Sequence, residues 1–436
     1  MIKLLHLSDI HMGSGFSHGR INPETGLNSR LEDFVETLGR CIDRALSEPV
    51  DLVLFGGDAF PDATPPPYVQ EAFANQFRRL ADAQIPTVLL VGNHDQHSQG
   101  QGGASLCIYR TLGVPGFVVG DRLDTHVVQT RKGPVQVITL PWLTRSTLLT
   151  RPAAEGLSMT EVNQWLGDRL RLALEGEIRR LDADIPTVLL AHAMVDTASY
   201  GAERFLAVGK GFTVPISLLA RPCFDYVALG HVHRHQVLCD QPPIVYPGSI
   251  ERVDFSEEKE DKGFVLVELE RERTTFEFCP LPVRRFCTIE VDVSEADDPQ
   301  AELLQALSHD RIQDAVVRLI YHLRSSQLDQ IDSTALQAAL TAAHSVTIRP
   351  ELISQLTRSR LPELGLGNQL DPLEALRTYL TNRDDLRDIA TDILEAAQGL
   401  VSVEGHAWLN LPNSVGASEP TQEQAIESQN TQLRLL

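Results

Sequence analysis

Five short apolar segments of this chain each end in residues that can bind a metal ion or transfer a proton. The segments end in Asp9 and His11, in Asp58, in Asn93, His94 and Asp95, in His192, and in His231 and His233. An apolar run of this length that stops at polar residues is typical of a buried parallel strand, and open α/β sheets place their chemistry at the carboxyl ends of such strands. We therefore expect these side chains to share one site.

The donor atoms in these segments indicate the chemistry of that site. Carboxylate, amide and imidazole donors without a thiolate suit divalent ions such as manganese, iron or zinc. Two ions about 3.5–4 Å apart can clamp the attacking and leaving oxygens of a phosphoryl transfer, and one carboxylate can bridge them. Asp58, preceded by Gly56 and Gly57, is the candidate bridge. The pair Asp9 and His11 alone, or the pair His231 and His233 alone, would be a weak signal, whereas five strand ends in order predict a dinuclear metal site.

The segments between these strands predict how the site is positioned. Apolar residues recur at helical spacing over residues 29–47, 68–83 and 160–181. Alternation of strand and helix builds a largely parallel sheet covered by helices. Residues 116–141 instead alternate apolar and polar positions between turns, which predicts antiparallel strands at a sheet edge. We therefore predict an α/β domain over residues 1–280.

The remainder of the chain divides into three further segments. Residues 281–350 read as strand, helix, strand, helix, strand, which predicts a small second domain of α+β type. Residues 351–411 have helical periodicity at 372–380 and 383–399. Residues 412–436 are rich in Asn, Ser, Gln, Glu and Thr and are expected to be disordered.

Composition restricts the partners and the location of the protein. The 436 residues carry a formal net charge of -21. Because a duplex attracts a basic surface, a DNA-acting protein of this composition must concentrate positive charge on metal ions, on loop arginines or on a partner. Its apolar runs are shorter than the ~18 residues of a membrane span, and Asp9 and His11 interrupt the first run, so we expect a cytoplasmic protein without a signal peptide. Six cysteines without a Cys-x-x-Cys pair suggest neither a zinc knuckle nor a disulfide framework.

The same motifs resemble a known family. Ser8-Asp9-Ile10-His11-Met12-Gly13, Gly57-Asp58, Gly92-Asn93-His94-Asp95, His192 and Gly230-His231-Val232-His233 are similar to the five signatures of calcineurin-like metallophosphoesterases. Residues 246–252 and 261–264 resemble, more narrowly, the SbcD-type DNA-repair nucleases that work with the SbcC ATPase. The resemblance implies a four-layer α/β/β/α sandwich, followed by a capping domain and a helical C-terminal segment that docks on the ATPase.

The resemblance also implies a role for each motif residue. Asp9, His11, Asp58 and His233 would hold the first metal, and Asp58, Asn93, His192 and His231 the second, with manganese as the expected ion. His94, beside Asp95, resembles the family's non-ligand histidine, which is either the general acid for the leaving oxygen or the stabiliser of the phosphorane, and both residues are assigned here as catalytic. Some members carry a second histidine shortly after the Gly-Asp motif. This chain has Ala59-Phe60-Pro61-Asp62 there, which leaves the balance of exonuclease and endonuclease activity open.

The resemblance implies a 3'-5' exonuclease and single-strand endonuclease in double-strand-break repair and recombination. The expected partners are DNA and an SbcC-like ATPase, with a homodimer of this chain inside a heterotetramer. A cyclic-nucleotide phosphodiesterase of the same fold is the alternative enzyme, but such enzymes normally lack a domain like residues 285–350. A catalytically silent subunit that binds DNA ends or an ATPase is a further alternative, disfavoured because no ligand position is substituted.

Overall fold

A computed structural model describes residues 1–97, 103–143, 159–201, 212–307, 309–353 and 372–381, together with residues 390, 391, 393, 394 and 397. The chain forms two compact units, Met1–Ile353 and Ser354–Leu436. All elements of the site lie in the first unit.

The described strands, in chain order, are β1 (Ile2–Leu7), β2 (Leu52–Phe55), β3 (Thr87–Leu90), β4 (Phe117–Gly120), β5 (Asp124–Thr130), β6 (Gly133–Leu140), β7 (Thr187–His192), β8 (Met194–Val195), β9 (Thr213–Val214), β10 (Tyr226–Gly230), β11 (Gln236–Asp240), β12 (Pro243–Tyr246), β13 (Gly263–Leu269), β14 (Thr275–Pro280), β15 (Phe286–Asp292), β16 (Val316–Arg324) and β17 (Ser345–Ile353). The described helices are α1 (Ser29–Ser47), α2 (Pro67–Asp82), α3 (Cys107–Leu112), α4 (Met159–Ile178), α5 (Ile216–Leu219), α6 (Pro299–Ala306), α7 (His309–Ile312), α8 (Ser333–Ala339) and α9 (Pro372–Thr381).

Two six-stranded sheets form the centre of the first unit. Their strand orders are β14-β13-β1-β2-β3-β4 and β11-β12-β10-β7-β6-β5. Apolar side chains between the sheets make one continuous core, with Leu4 and Leu54 from the first sheet and Leu190 and Ala228 from the second. The strands that end at the predicted site residues pair in parallel with one another, β1 with β2 and β2 with β3 in the first sheet, and β7 with β10 in the second.

Helices cover the outer face of each sheet. Because side chains alternate along a strand, Leu5 and Leu7 of β1 point away from Leu4 and pack with Phe34 of α1 and Phe73 of α2. On the other side, α4 packs on the second sheet through its own buried leucines. The layers are therefore helix, sheet, sheet and helix, which confirms the predicted four-layer sandwich.

Local sequence explains where the helices begin. The side chain of Asn28 accepts a hydrogen bond from the backbone N–H of Arg30 and so caps α1 at its first turn. Pro67 opens α2, where a missing N–H costs nothing. The predictions at 29–47, 68–83 and 160–181 agree with α1, α2 and α4 to within a few residues at their ends.

The prediction of antiparallel edge strands over residues 116–141 agrees with β5 and β6 but not with β4. β5 and β6 pair antiparallel at the edge of the second sheet, as expected for residues 116–141. β4 instead pairs in parallel with β3 at the edge of the first sheet. The reason is that the helical turn α3 lies between β3 and β4, so the strand-helix alternation continues through β4 before the chain crosses to the second sheet.

Residues 286–353 form a separate three-stranded sheet in the order β15-β16-β17, with all strands parallel. The expected order of strands and helices is confirmed. This sheet has its own apolar core, which includes Ile289, Leu319 and Leu336. Because β17 runs to Ile353, the strand extends beyond residue 350, where we placed the end of the capping domain. The division at residue 280 stays a proposal, supported by that separate core.

In the second unit, α9 agrees with the helix predicted at 372–380. Of the helix predicted at 383–399 only isolated positions are described, and the predicted tail at 412–436 lies outside the described residues. Among the described helices, none is both long and apolar enough to cross a membrane.

Candidate metal centre

The predicted site residues meet at the carboxyl ends of the two central sheets. Asp9 and His11 follow β1, Asp58 follows β2, Asn93 follows β3, His192 ends β7, and His231 and His233 follow β10. Two groups of donor atoms, each within 4.8 Å of one another, are formed by Asp9, His11 and His233 and by Asp58, His192 and His231. The structure therefore brings together the residues that the strand-end argument selected, and their roles as ligands stay predictions.

Asp58 lies between the two groups. Its Oδ2 is 3.7 Å from Nε2 of His11, in the first group, and 3.3 Å from Nε2 of His192, in the second. The side chain is almost fully buried. One carboxylate thus reaches both groups, which is the geometry that a bridging ligand requires.

Asn93 completes the second group. Its Oδ1 lies 2.9 Å from Nε2 of His192 and 2.9 Å from Nδ1 of His231. In the first group, Nε2 of His11 and Nε2 of His233 are 3.0 Å apart. Oxygen and imidazole donors that converge in this way fit a divalent ion in each group.

The imidazole rings are fixed by partners on their far sides. Nδ1 of His192 donates to the Gly56 carbonyl at 2.7 Å, which leaves Nε2 directed at Asp58. Nδ1 of His233 lies 2.6 Å from Oε1 of Glu257. Metal-binding histidines characteristically use their second nitrogen in this manner, because the contact sets the tautomer and the ring orientation. The donor set therefore fits two divalent ions.

Burial and mutual charge shape the protonation of the site. Burial raises the pKa of Asp9, although the nearby imidazoles oppose the shift. Burial alone would raise the pKa of Asp58 as well, but His192, His94 and His11 hold the pKa of this carboxyl well below its usual range. Burial lowers the pKa of His11 and of His231 well below the ordinary value, which favours the neutral rings that can act as ligands.

The backbone at the site is held in unusual conformations. Asp9, His11 and Asp58 have φ of 52°, 47° and 58°, in the left-handed region that non-glycine residues rarely adopt. Gly92 lies so close to Asp58 that a Cβ there would be 2.1 Å from Oδ1 of that carboxylate. Non-glycine residues in this region cluster at functional sites, where the surrounding structure maintains them.

His94 sits beside the ligands with its Nδ1 occupied. Nδ1 donates to the Pro61 carbonyl at 2.7 Å, and its backbone N–H donates to Oδ1 of Asp58 at 2.8 Å. The ring packs edge-on against His11 with 4.9 Å between centroids. His94 also belongs to a third group of possible donors with His11 and Asp58, so its position permits either a ligand or a proton-transfer role.

Asp95 is buried and hydrogen-bonded to the backbone around Asp58. Its buried carboxylate accepts hydrogen bonds from the backbone N–H groups of Asp58 and Gly92, both at 2.9 Å, and of Ala59 at 3.1 Å. The hydroxyl of Ser105 adds a fourth, at 3.2 Å. These contacts tie the loop after β2 to the loop after β3 and occupy both carboxylate oxygens. The carboxylate thus holds the backbone around Asp58, and the catalytic assignment of Asp95 stays a prediction.

Three residues of the site were not predicted. Trp142 stacks on His231 with 4.6 Å between ring centroids, and it follows β6, so the strand-end argument could have identified it. Glu257 contacts His233, and Lys262 donates to Glu257 at 2.7 Å. Lys262 belongs to a segment that carries the family resemblance, whereas Glu257 stands in an ordinary acidic stretch that gives no signal.

Comparison with known proteins agrees with this geometry. The profile of the calcineurin-like phosphoesterase family matches residues 2–235, and the chain therefore belongs to that family. The fold of this family implies a dinuclear divalent-metal site, in agreement with the two donor groups.

The chain is similar to a protein named for DNA double-strand break repair and to a subunit of a nuclease. The chain is 26% identical over 457 residues to the DNA double-strand break repair protein Mre11 of Haloferax volcanii, and the alignment covers 99% of this chain and 88% of that protein. It is 30% identical over 294 residues to the SbcD component of the nuclease SbcCD of Rhodobacter capsulatus, covering 62% of this chain and 66% of that protein. Among solved structures, the protein TT1561 of Thermus thermophilus aligns with a TM-score of 0.37 and 16% identity over 64% of this chain and 98% of that one.

Proposed function

We propose that this chain is a metal-dependent phosphodiesterase that hydrolyses DNA, acting as a 3'-5' exonuclease and single-strand endonuclease in double-strand-break repair. The observation that carries the proposal is the bridging position of Asp58 between two donor groups. The similarity to an Mre11 protein, which extends over 99% of the chain, supports DNA as the substrate.

In this proposal the ligand sets are those implied by the motifs. Asp9, His11, Asp58 and His233 hold one ion, and Asp58, Asn93, His192 and His231 hold the other, with manganese as the ion. Two bound ions supply a nucleophile at neutral pH and stabilise the charge that develops on the phosphate oxygens. Asp58 holds the two ligand sets in register, because its carboxylate reaches both.

His94 would transfer the proton in this proposal. Because Nδ1 donates to the Pro61 carbonyl, Nε2 is the atom that can hold a proton for the leaving oxygen. We propose a positioning role for Asp95, in place of the catalytic role that the sequence suggested, because its carboxylate is fully engaged by the loop that carries Asp58.

The partner and the location are also proposals. The Rhodobacter relative is named as a subunit of SbcCD, and this supports a partner ATPase of the SbcC type. A homodimer of this chain within the assembly stays a prediction from the family resemblance. From residue 351 to the end, the chain carries 13 acidic against 6 basic residues, a poor surface for DNA and a suitable one for a basic groove on a protein. A protein that acts on DNA with such a partner would work in the cytoplasm.

The test is hydrolysis of linear DNA by the full chain with manganese or with EDTA. We expect cleavage only with the metal. Hydrolysis of cyclic nucleotides but not of DNA would instead favour the alternative enzyme.

A further inference from the structure

Glu257 lies in a short 3-10 turn, Phe255–Glu257, behind the first donor group. Its carboxylate is buried and uses both oxygens. Oε1 lies 2.6 Å from Nδ1 of His233, while Oε2 accepts from Nζ of Lys262 at 2.7 Å and from the backbone N–H of Val253 at 3.1 Å. These contacts fix the carboxylate, and the carboxylate in turn fixes the ring of His233.

This arrangement differs from that of two other oriented histidines. The Nδ1 atoms of His192 and His94 donate to backbone carbonyls, those of Gly56 and Pro61. His233 instead has a carboxylate as the partner of its Nδ1 atom. A carboxylate partner raises the basicity of an imidazole more than a carbonyl does and strengthens its bond to a metal.

The other side of the turn contacts the three-stranded sheet. The ring of Phe255 packs edge-on against Phe286 of β15 at 4.9 Å, and the guanidinium of Arg318 of β16 lies 4.3 Å from its centroid. The carboxylate of Glu258 accepts a hydrogen bond from the backbone N–H of Thr288 at 3.0 Å. Phe255 and Glu258 therefore contact the three-stranded sheet, while Glu257 between them contacts the predicted metal ligand His233.

We propose that Glu257 is a positioning residue for His233, and that β15 and β16 hold the turn that carries it, so that packing of the three-stranded sheet sets the affinity of the first ion. The inference rests on the proposed two-metal site. It assigns a function to the contact between residues 286–353 and the phosphoesterase fold, namely that a change in that contact alters metal binding without any change in the ligands themselves.

The first test is manganese binding by the full chain, measured by titration calorimetry without DNA. In Glu257→Gln we expect one of two binding events to weaken by about 10- to 100-fold, the range typical for loss of such a partner. Glu260→Gln is the matched control, because Glu260 also pairs with Lys262, whereas the carboxylate that contacts His233 is that of Glu257. If Glu257→Gln does not fold, Glu257→Asp retains the charge beside Lys262 while withdrawing it from His233, and the same weakening is expected.

The second test uses Phe255→Leu, which removes the ring contacts to the sheet and leaves Glu257 in place. We expect the same binding event to weaken, by a smaller factor than in Glu257→Gln. Unchanged binding in Glu257→Gln or Glu257→Asp would overturn the positioning role, and unchanged binding in Phe255→Leu would overturn the contribution of the sheet. Failure of the unmodified chain to bind two ions would instead overturn the proposed function itself.

Discussion

Nε2 of His11 and Nε2 of His233 lie 3.0 Å apart, although 222 residues separate them in the chain. Two imidazole nitrogens at this distance cannot both carry a proton, and a shared cation satisfies both. We therefore predict that manganese raises the melting temperature of the full chain relative to EDTA. At 100 times the dissociation constant, a ligand of the folded state stabilises it by about 2.7 kcal/mol. Scanning calorimetry in manganese and in EDTA measures the shift, and equal melting temperatures would contradict it.

Asp58→Asn should abolish metal-dependent hydrolysis. Asparagine tolerates the left-handed backbone at this position, so the fold is expected to persist, but a neutral amide cannot bridge two cations. Loss of several kcal/mol of charge stabilisation corresponds to a rate lower by about 10³-fold or more. Cleavage of a labelled linear DNA gives the rate, and calorimetry in EDTA verifies folding. Activity close to that of the unmodified chain would exclude a bridging role.

His94→Asn should retain both metals and lose most of the rate. The contact of Nδ1 with Pro61 leaves one nitrogen for proton transfer, and general acid catalysis contributes about 10²–10⁴-fold. Elemental analysis should give the same metal content as in the unmodified chain. Loss of metal would show that His94 is a ligand, as its proximity to His11 and Asp58 also permits.

His6 should make the metal-free protein sensitive to mild acid. Its Nε2 donates to the Leu229 carbonyl at 3.1 Å, Tyr226 donates to Nδ1 at 3.0 Å, and burial lowers the pKa of the ring to about 3. In the unfolded chain this histidine has a pKa of ~6.5. Between that pH and the lower pKa of the folded state, the unfolded chain therefore binds one more proton than the folded chain, so folding stability falls as pH falls. On going from pH 7 to pH 5, protonation of this histidine in the unfolded chain should lower the free energy of unfolding by about 2 kcal/mol.

His6→Gln tests this dependence, because glutamine retains polar atoms without titrating. Calorimetry in EDTA at pH 7 and pH 5 should show a smaller decrease in melting temperature for the variant than for the unmodified chain. Equal decreases would mean that other groups govern the acid sensitivity.

Truncation after Ile353 should separate catalysis from partner binding. The first compact unit ends at Ile353. A truncation before this residue, for example after Arg349, would remove the last residues of β17. We expect the truncated chain to hydrolyse small phosphodiesters with manganese but not to co-purify with an SbcC-like ATPase. Retained ATPase binding would place the interface within residues 1–353.

The sequence predicted the parts of the site that follow from strand periodicity. Each predicted ligand lies at the end of an apolar strand or a few residues beyond it, and parallel strands bring their carboxyl ends together, so the closeness of these residues followed from the local sequence pattern alone. Glu257 could not be found in this way, because tertiary packing alone brings its turn to His233. The role of Asp95 likewise depends on which backbone N–H groups surround its carboxylate, and no sequence pattern encodes that.

The left-handed backbone at Asp9, His11 and Asp58 has a consequence for how this fold tolerates change. Such a conformation costs a non-glycine residue about 1–2 kcal/mol, whereas glycine adopts it freely. Glycine at any of these positions would relieve the backbone strain but remove a predicted metal ligand, so the conformational cost and the placement of a donor atom come together at each of them.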